Sequence, residues 1–273
     1  MYSSSNDLST LGRAILNSTL LKPALTRRWL NPVTFSSDPA ASIGAPWGIR
    51  RMQLDALNQP YRTVSAFTKA GTFRKYTAFL SLLRDFNLGF TIMMAGEPAL
   101  SNFKGADLLG SALIPAYDAV ARDEADKLFS GTYVDGVGSW LQISTDPRKP
   151  GLGVGPWVSN GTDMVRLGMM LQSGSGTGFP LLRPETRLYY TQLESRTAGG
   201  GKKQSWKAVF EETGYPSVAG QLFSTGCASW VGVTGVTYGN LPLDEFVFNF
   251  DSTGKVVSIV NLALRSTMYK LQV

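Results

Sequence analysis

Apolar positions recur at helical spacing over the first 30 residues and at strand spacing from Pro46 onward. Leu8, Leu11, Ile15 and Leu16 follow a polar run at three- and four-residue steps, which predicts an amphipathic helix. Ser4 or Ser5 can cap it, with Asp7 in the first turn where the helix dipole favours an anion. Pro23 suits the start of a second, short helix carrying Leu25, Trp29 and Leu30, which Asn31-Pro32 stops. Residues 31–47, rich in Ser, Pro and Ala, read as a loop.

The stretches WGIRRMQL, YRTVSAFTKAG, RKYTAFLSLL and LGFTIMMAG are each bounded by Gly, Pro or Asn turn signals and predict an antiparallel meander. The last of them, Leu88 to Ala95, is almost wholly apolar and is expected to be covered on both faces. Leu108, Leu109, Ala112, Leu113, Ala116, Val120 and Leu128 mark a covering helix over about Lys104 to Phe129, with a kink or early break expected at Pro115. Beyond Ser130-Gly131 come short runs rich in aromatic and β-branched residues: GTYVD, SWLQIST, LGVGPWVSN, RLYYTQLES, SWKAVFEE, ASWVGVTGVTYG, DEFVFNF and KVVSIVNLALRS. They predict an all-β barrel or sandwich, with the plainest hairpin at Phe246–Phe250, Asp251–Gly254 and Lys255–Leu264. The expectation is therefore an α+β chain of two domains, 1–129 and 130–273.

With 273 residues, 43% of them hydrophobic, the chain can bury a full core. No apolar run reaches the roughly 18 residues of a membrane span, and the N-terminus lacks the basic-then-apolar pattern of a signal peptide. A cytoplasmic location is expected of the chain as given, and secretion if a longer form carries a signal peptide. The sequons Asn17-Ser18-Thr19 and Asn160-Gly161-Thr162 matter only in that second case. There is no histidine and a single cysteine, which excludes Ser-His-Asp and Cys-His catalysis and any internal disulfide. Neither a metal nor a cofactor is expected, and Cys227 reads as a small buried hydrophobe. The net charge of +6 falls wholly in residues 1–100, where 11 Lys/Arg face 5 Asp/Glu, but the cations are dispersed. Nucleic acid is not expected as a partner.

Lys69-Ala70-Gly71 lies between two predicted strands. A hairpin turn with an exposed lysine accounts for it; so does a site where the cation meets an anionic group and the glycine lets a ligand approach the backbone. With the strands and closing helix around it, the block TKAGTFRKYTAFLSLLRDFNLGFTIMMAG resembles the Lys-x-Gly strand and following strands of the serine β-lactamase and penicillin-binding-protein superfamily, in its class C and esterase-like branch. MYSSSNDLSTLGRAILNSTLL resembles that family's Tyr-Ser-Ser helix segment, and the module after Gly131 resembles the C-terminal β-rich domain of fungal β-lactamase-like proteins.

The resemblance implies the C-terminal part of an α/β sandwich, an antiparallel sheet with flanking helices, followed by the β module. It also implies chemistry by a Ser-x-x-Lys nucleophile, a Tyr-x-Asn tyrosine and the Lys-x-Gly strand. Lys69 and Gly71 match the third motif, and the N–H of Thr72 matches the strand's share of an oxyanion hole. Tyr2 is the weak candidate for the tyrosine, since the family's tyrosine stands further upstream of Lys-x-Gly. The two literal Ser-x-x-Lys strings, Ser101–Lys104 and Ser252–Lys255, come after the Lys-x-Gly strand, so neither suits a nucleophile that must open a helix ahead of it.

The expected function is that of a β-lactamase-like serine hydrolase or transesterase, tied in fungal relatives to secondary metabolism and inactive alone for want of the nucleophile. A small ester, amide or thioester substrate is expected only if an N-terminal half completes the site. The alternative is a binding or scaffold protein whose β module holds a lipophilic ligand or a partner.

Overall fold

A computed structural model describes residues 3–55, 59–96, 101–172, 183–213 and 230–271. In it Ser4 caps helix α1 (Ser5–Leu16): its hydroxyl accepts from the Asp7 N–H at 3.2 Å, and the Asp7 carboxylate accepts from the Ser4 N–H at 3.1 Å. This reciprocal pairing satisfies donors that a helix start otherwise leaves open. Helix α2 (Pro23–Trp29) begins at its proline. The chain then forms six strands, β1 (Thr34–Phe35), β2 (Ala41–Ile43), β3 (Gly48–Asp55), β4 (Gln59–Phe73), β5 (Tyr76–Leu83) and β6 (Leu88–Ala95), paired antiparallel in that order. These elements, with most of helix α3 (Asn102–Phe129), make one compact unit, Met1–Ala121.

Side chains alternate across this sheet, and helices cover both faces. Ile49, Phe67, Leu80 and Leu82 pack with Ile15 and Leu30 on the α1 side. There Gly12 allows close approach, since a Cβ on it would stand 3.2 Å from a methyl carbon of Leu82. On the other face Val64, Ala66 and Leu83 pack with Ile114 of α3, and Phe79 meets Phe90 and Phe103. Arg62 ties β4 to α3 through Asp118, at 2.9 Å from Nε and 2.8 Å from Nη2.

Three expectations need correction. Residues 31–47 are not simply loop, because β1 and β2 form there around a turn in which Ser36 Oγ donates to Ala41 O and Asp38 accepts from the Ala40 N–H. Strand β6 is only partly covered despite its apolar composition, since it is the sheet's edge. Helix α3 does not break early at Pro115 but continues to Phe129; Pro115 and Ser111 are both exposed, so water can take the carbonyl that the proline leaves without an intrahelical donor.

The second unit, Arg122–Val273, is built on a closed antiparallel barrel. Its strands are β7 (Gly131–Val134), β8 (Trp140–Ser144), β9 (Leu152–Ser159), β11 (Pro184–Arg196), β12 (Lys202–Glu212), β15 (Glu245–Phe250), β16 (Val256–Asn261) and β17 (Ser266–Lys270), with the two-residue β10 (Thr162–Asp163) appended to β9. Pairing of β8 with β9, from Trp140 opposite Val158 to Ser144 opposite Gly153, closes the ring. Closure removes the unpaired edges that a sandwich would leave. A short helix not foreseen from the sequence, α4 (Met164–Gln172), adds Met164, Val165 and Met169 to the core. ASWVGVTGVTYG is not the strand it resembled: among its described residues, Trp230–Gly232 is a 3-10 turn and Thr237–Tyr238 (β13) pairs only with Leu241–Pro242 (β14).

The barrel interior is filled by the chain itself. Trp157, Tyr133, Phe210, Phe246 and Phe248 are fully buried, and Phe129, the last residue of α3, meets Trp206 and Phe248 with ring centroids 5.0 and 4.9 Å apart. The Tyr133 hydroxyl donates to Phe129 O at 2.7 Å and Lys270 Nζ to Leu128 O at 2.9 Å, which satisfies the end of α3.

Candidate active site wall on strand β4

Lys69, Gly71 and Thr72 sit inside β4, and the turn lies further on, at Arg74-Lys75, with Arg74 in the left-handed region at φ 53°. The tripeptide is therefore strand, not turn. Phe73 and Tyr76 close the hairpin; Lys69 stands opposite Leu80, Gly71 opposite Ala78 and Thr72 opposite Thr77. Because Leu80 and Phe67 belong to the α1-side cluster, the Lys69 side chain and the open face of Gly71 point to that side.

The other neighbour of β4 stops short. Strand β3 begins at Gly48, which stands opposite Thr68, so among the described residues no strand pairs with this edge of β4 at 69–73. Backbone groups of alternate residues point to opposite edges of a strand. The two-residue turn makes Phe73 and Tyr76 a hydrogen-bonded closing pair, which directs Phe73, Gly71 and Lys69 toward β5; Gly96 N donating to Lys75 O at 3.0 Å sets the same alternation on β5. The N–H and C=O of Ala70 and Thr72 consequently project from the open edge, beside the lysine.

Nothing crowds this position. A Cβ built on Gly71 would meet no heavy atom within 4 Å, and Gly71 is not in the left-handed region, so neither packing nor backbone geometry requires a glycine there. Lys69 is exposed and has no ion-pair partner among the described residues. Helix α1 approaches from the same face: Leu16 lies at Gly89 and the Ser9 hydroxyl at 3.5 Å from that of Thr91, so its N-terminal end is directed toward Met93 and the β4–β5 hairpin. Tyr2, the remaining candidate, lies outside the described residues, as does Cys227.

The two Ser-x-x-Lys strings do not come to this wall as helix-borne nucleophiles. Ser101 precedes α3, where its hydroxyl accepts from the Lys104 N–H at 3.4 Å in the manner of a cap. Ser252 and Lys255 belong to the β15–β16 turn, organised by Asp251 accepting from the N–H groups of Thr253 and Lys255.

On the barrel, a shallow polar groove of about 430 Å³ is lined by Ser144, Asp146, Arg148, Gly153, Glu185 and Arg187, among others. Its buried arginine is committed to the chain: Arg187 donates to the carbonyls of Pro150 and Gly151 and to Glu185. That network pins the 145–151 loop to the barrel wall. The interior considered for a lipophilic ligand is occupied by the aromatic core, and among the described residues no three of His, Cys, Asp and Glu converge as metal ligands would. No described helix is long and apolar enough to cross a membrane.

Over 290 aligned residues the chain is 28% identical to a β-lactamase-like protein of Arthroderma benhamiae, covering 97% of this chain and 48% of that one. It is 27% identical to a probable hydrolase of Cochliobolus lunatus, covering 99% of this chain and 44% of that one. The chain thus spans a little under half the length of these curated relatives. A solved penicillin-binding protein homologue from Pyrococcus abyssi matches with a TM-score of 0.33 and 11% identity over 76% of this chain and 42% of that one, too slight a likeness to bear on the fold. The family described as β-lactamase-like-like, C-terminal domain, matches residues 121–272; with more than half of its length inside that match, the chain belongs to the β-lactamase-like family.

Proposed function

We propose that this chain is the C-terminal portion of a β-lactamase-like serine hydrolase or transesterase, with residues 1–129 part of the acyl-transfer domain and 130–273 an accessory barrel. The open edge of β4 carries the reading: it presents the Thr72 N–H beside a lysine unpaired among the described residues and an uncrowded glycine. Lys69 attracts the substrate's anionic or polarised group, Gly71 leaves room above the strand, and the Thr72 N–H stabilises the oxyanion. The attacking serine of a Ser-x-x-Lys motif, and the tyrosine if it is not Tyr2, come from sequence outside residues 1–273; the greater length of the relatives supports this. An ester, amide or thioester is the substrate class, and the chain by itself is inactive. A place in fungal secondary metabolism rests on the family resemblance alone.

Labelling with a serine-reactive fluorophosphonate tests the proposal. The 273-residue chain should not label, whereas the same chain extended by upstream coding sequence containing Ser-x-x-Lys should, with Lys69→Ala slowing the extended form at least tenfold. Labelling of the 273-residue chain, or an extended form indifferent to Lys69, would contradict it.

A further inference from the structure

We infer that the acyl compound taken at this site carries a large apolar body, seated on a shelf formed by Phe73, Tyr76 and Met93. The inference rests on the reading of Lys69, Gly71 and Thr72 as the acyl-transfer wall and adds the class of substrate. Phe73 is 70% exposed, Tyr76 65% and Met93 45%. Single apolar residues at a surface need no explanation; these are contiguous. Phe73 stands directly opposite Tyr76, Tyr76 opposite Ala95, and Met93 opposite Ala78, which in turn faces Gly71.

Register puts all of them on one face. Lys69, Gly71 and Phe73 alternate with Ala70 and Thr72 along β4, and their partners on β5 and β6 share their side of the sheet. This is the face that α1 covers further along, over Leu80, Leu82 and Gly89. At the hairpin end the described residues leave it open, with Gly71 as a hollow between Lys69, Phe73 and Ala78. Arg74 lies with its guanidinium carbon 5.4 Å from the Phe73 ring centroid, and Phe73 is still largely exposed.

The chemistry of the occupant follows from the two ends of the shelf. Among the described residues its inner end holds a cation without a counter-ion and, at the strand edge, an N–H without a strand partner; its outer end is aromatic and thioether. A molecule that suits both has an anionic or polarised acyl head and an apolar body. Lys69 and Phe73 are four residues apart, about 13 Å along an extended strand, or roughly ten carbon–carbon bonds of a stretched chain. A medium-length acyl chain or an aryl group of similar reach spans that distance. An acetyl-sized group reaches only the lysine.

The test is isothermal titration of the 273-residue chain with decanoate, below its micellar concentration, and with acetate. Decanoate should bind at least tenfold more tightly than acetate. Phe73→Ser combined with Met93→Ser should remove that preference while leaving acetate unchanged and the melting temperature nearly so, both side chains being exposed. Lys69→Gln should weaken both carboxylates. Equal binding of the two, no binding of either, or a preference indifferent to the double substitution overturns the inference. So does a dimer of the chain that the double substitution disperses, since the shelf would then be a contact between copies. A chain-length preference that survives Lys69→Gln with no loss of affinity instead overturns the reading of Lys69 and leaves the shelf standing.

Discussion

Gly71→Val separates a glycine kept for function from one kept for structure. Inside a strand a glycine is a liability, costing about 0.5–1 kcal/mol relative to alanine through lost backbone freedom, and valine is favoured further on a pleated surface. The usual reasons for tolerating it are absent at position 71. Its φ lies outside the left-handed region, and an added Cβ meets nothing within 4 Å. The structure therefore predicts that Gly71→Val stabilises the sheet unit by about 0.5–1 kcal/mol, raising the melting temperature by about 2–6 °C for a unit of this size. The same side chain fills the hollow between Lys69, Phe73 and Ala78, so carboxylate binding should fall at least tenfold. Thermal unfolding followed by circular dichroism and titration with decanoate measure the two effects on one sample. A lower melting temperature would show that Gly71 serves packing, and a higher one with binding unchanged would remove the hollow from the site.

Other predictions concern the barrel and its margins. A Cβ on Gly168 of α4 would lie 2.2 Å from Cε1 of the fully buried Phe210 ring. Overpacking should cost about 1–3 kcal/mol, offset by about 1 kcal/mol of helix propensity; urea unfolding of Gly168→Ala should show a net loss that Phe210→Leu in the same chain partly restores. Asp244 is buried, accepts from Lys207 Nζ at 2.5 Å and from the Thr234 N–H at 2.8 Å, and so holds a β-branched residue at φ 75°. Asp244→Asn leaves Lys207 unpaired and should cost about 3 kcal/mol, the low end for a buried pair because Lys207 keeps some solvent; an unchanged denaturation midpoint would refute this. Hydrogen bonds from Ser130 and Thr145 hold the Asp126 carboxyl below its ordinary 3.8, and Thr253 with the Lys255 N–H does the same for Asp251. A depressed carboxylate adds stability that is present above the unfolded value and lost as pH falls through the folded one. The barrel should therefore lose stability below about pH 4, and Asp126→Asn combined with Asp251→Asn should flatten that acid limb in melts taken from pH 5 downward.

Local chemistry was the legible part of the sequence. Ser4 with Asp7, Pro23 at a helix start, and the Asp251–Gly254 turn each carry their own stereochemical cause within a few residues, and the elements form where those causes lie. Helix α4 went unread although it has a comparable signal: Asp163 accepts from the Arg166 N–H at 3.0 Å, three residues on. Its nine residues are shorter than the span over which helical periodicity stands out against neighbouring strands. Closure of the barrel depends on Trp140 meeting Val158, a pairing that alternation of apolar residues permits but does not select. The strand character of Lys69 and its face follow from alternation with Phe67. That β3 ends its pairing at Thr68, which frees the edge next to Lys69, depends on where β3 starts and could not be read from β4.

The two units differ in their strand edges, and that difference bears on where the chemistry is proposed to lie. The barrel closes its hydrogen-bond ladder and packs Trp157, Phe246 and Phe248 inward, while Trp140, Trp230 and Tyr269 stay exposed; its polar groove is spanned by an arginine already bonded to its own loop. Among the described residues the sheet unit leaves a strand edge unpaired at 69–73, a lysine without a counter-ion and three large apolar side chains on one open face. Open edges and exposed apolar faces invite misassembly, so their concentration around one lysine is costly unless something occupies them. A nucleophile-bearing segment at the edge and an acyl body on the shelf would satisfy both at once. If so, extending the chain by its Ser-x-x-Lys segment should protect the Ala70 and Thr72 amides from hydrogen exchange, while decanoate added to the 273-residue chain should bury Phe73 and Tyr76 without closing the edge. Protection of those amides by decanoate alone would place the ligand along the strand edge and not on the face.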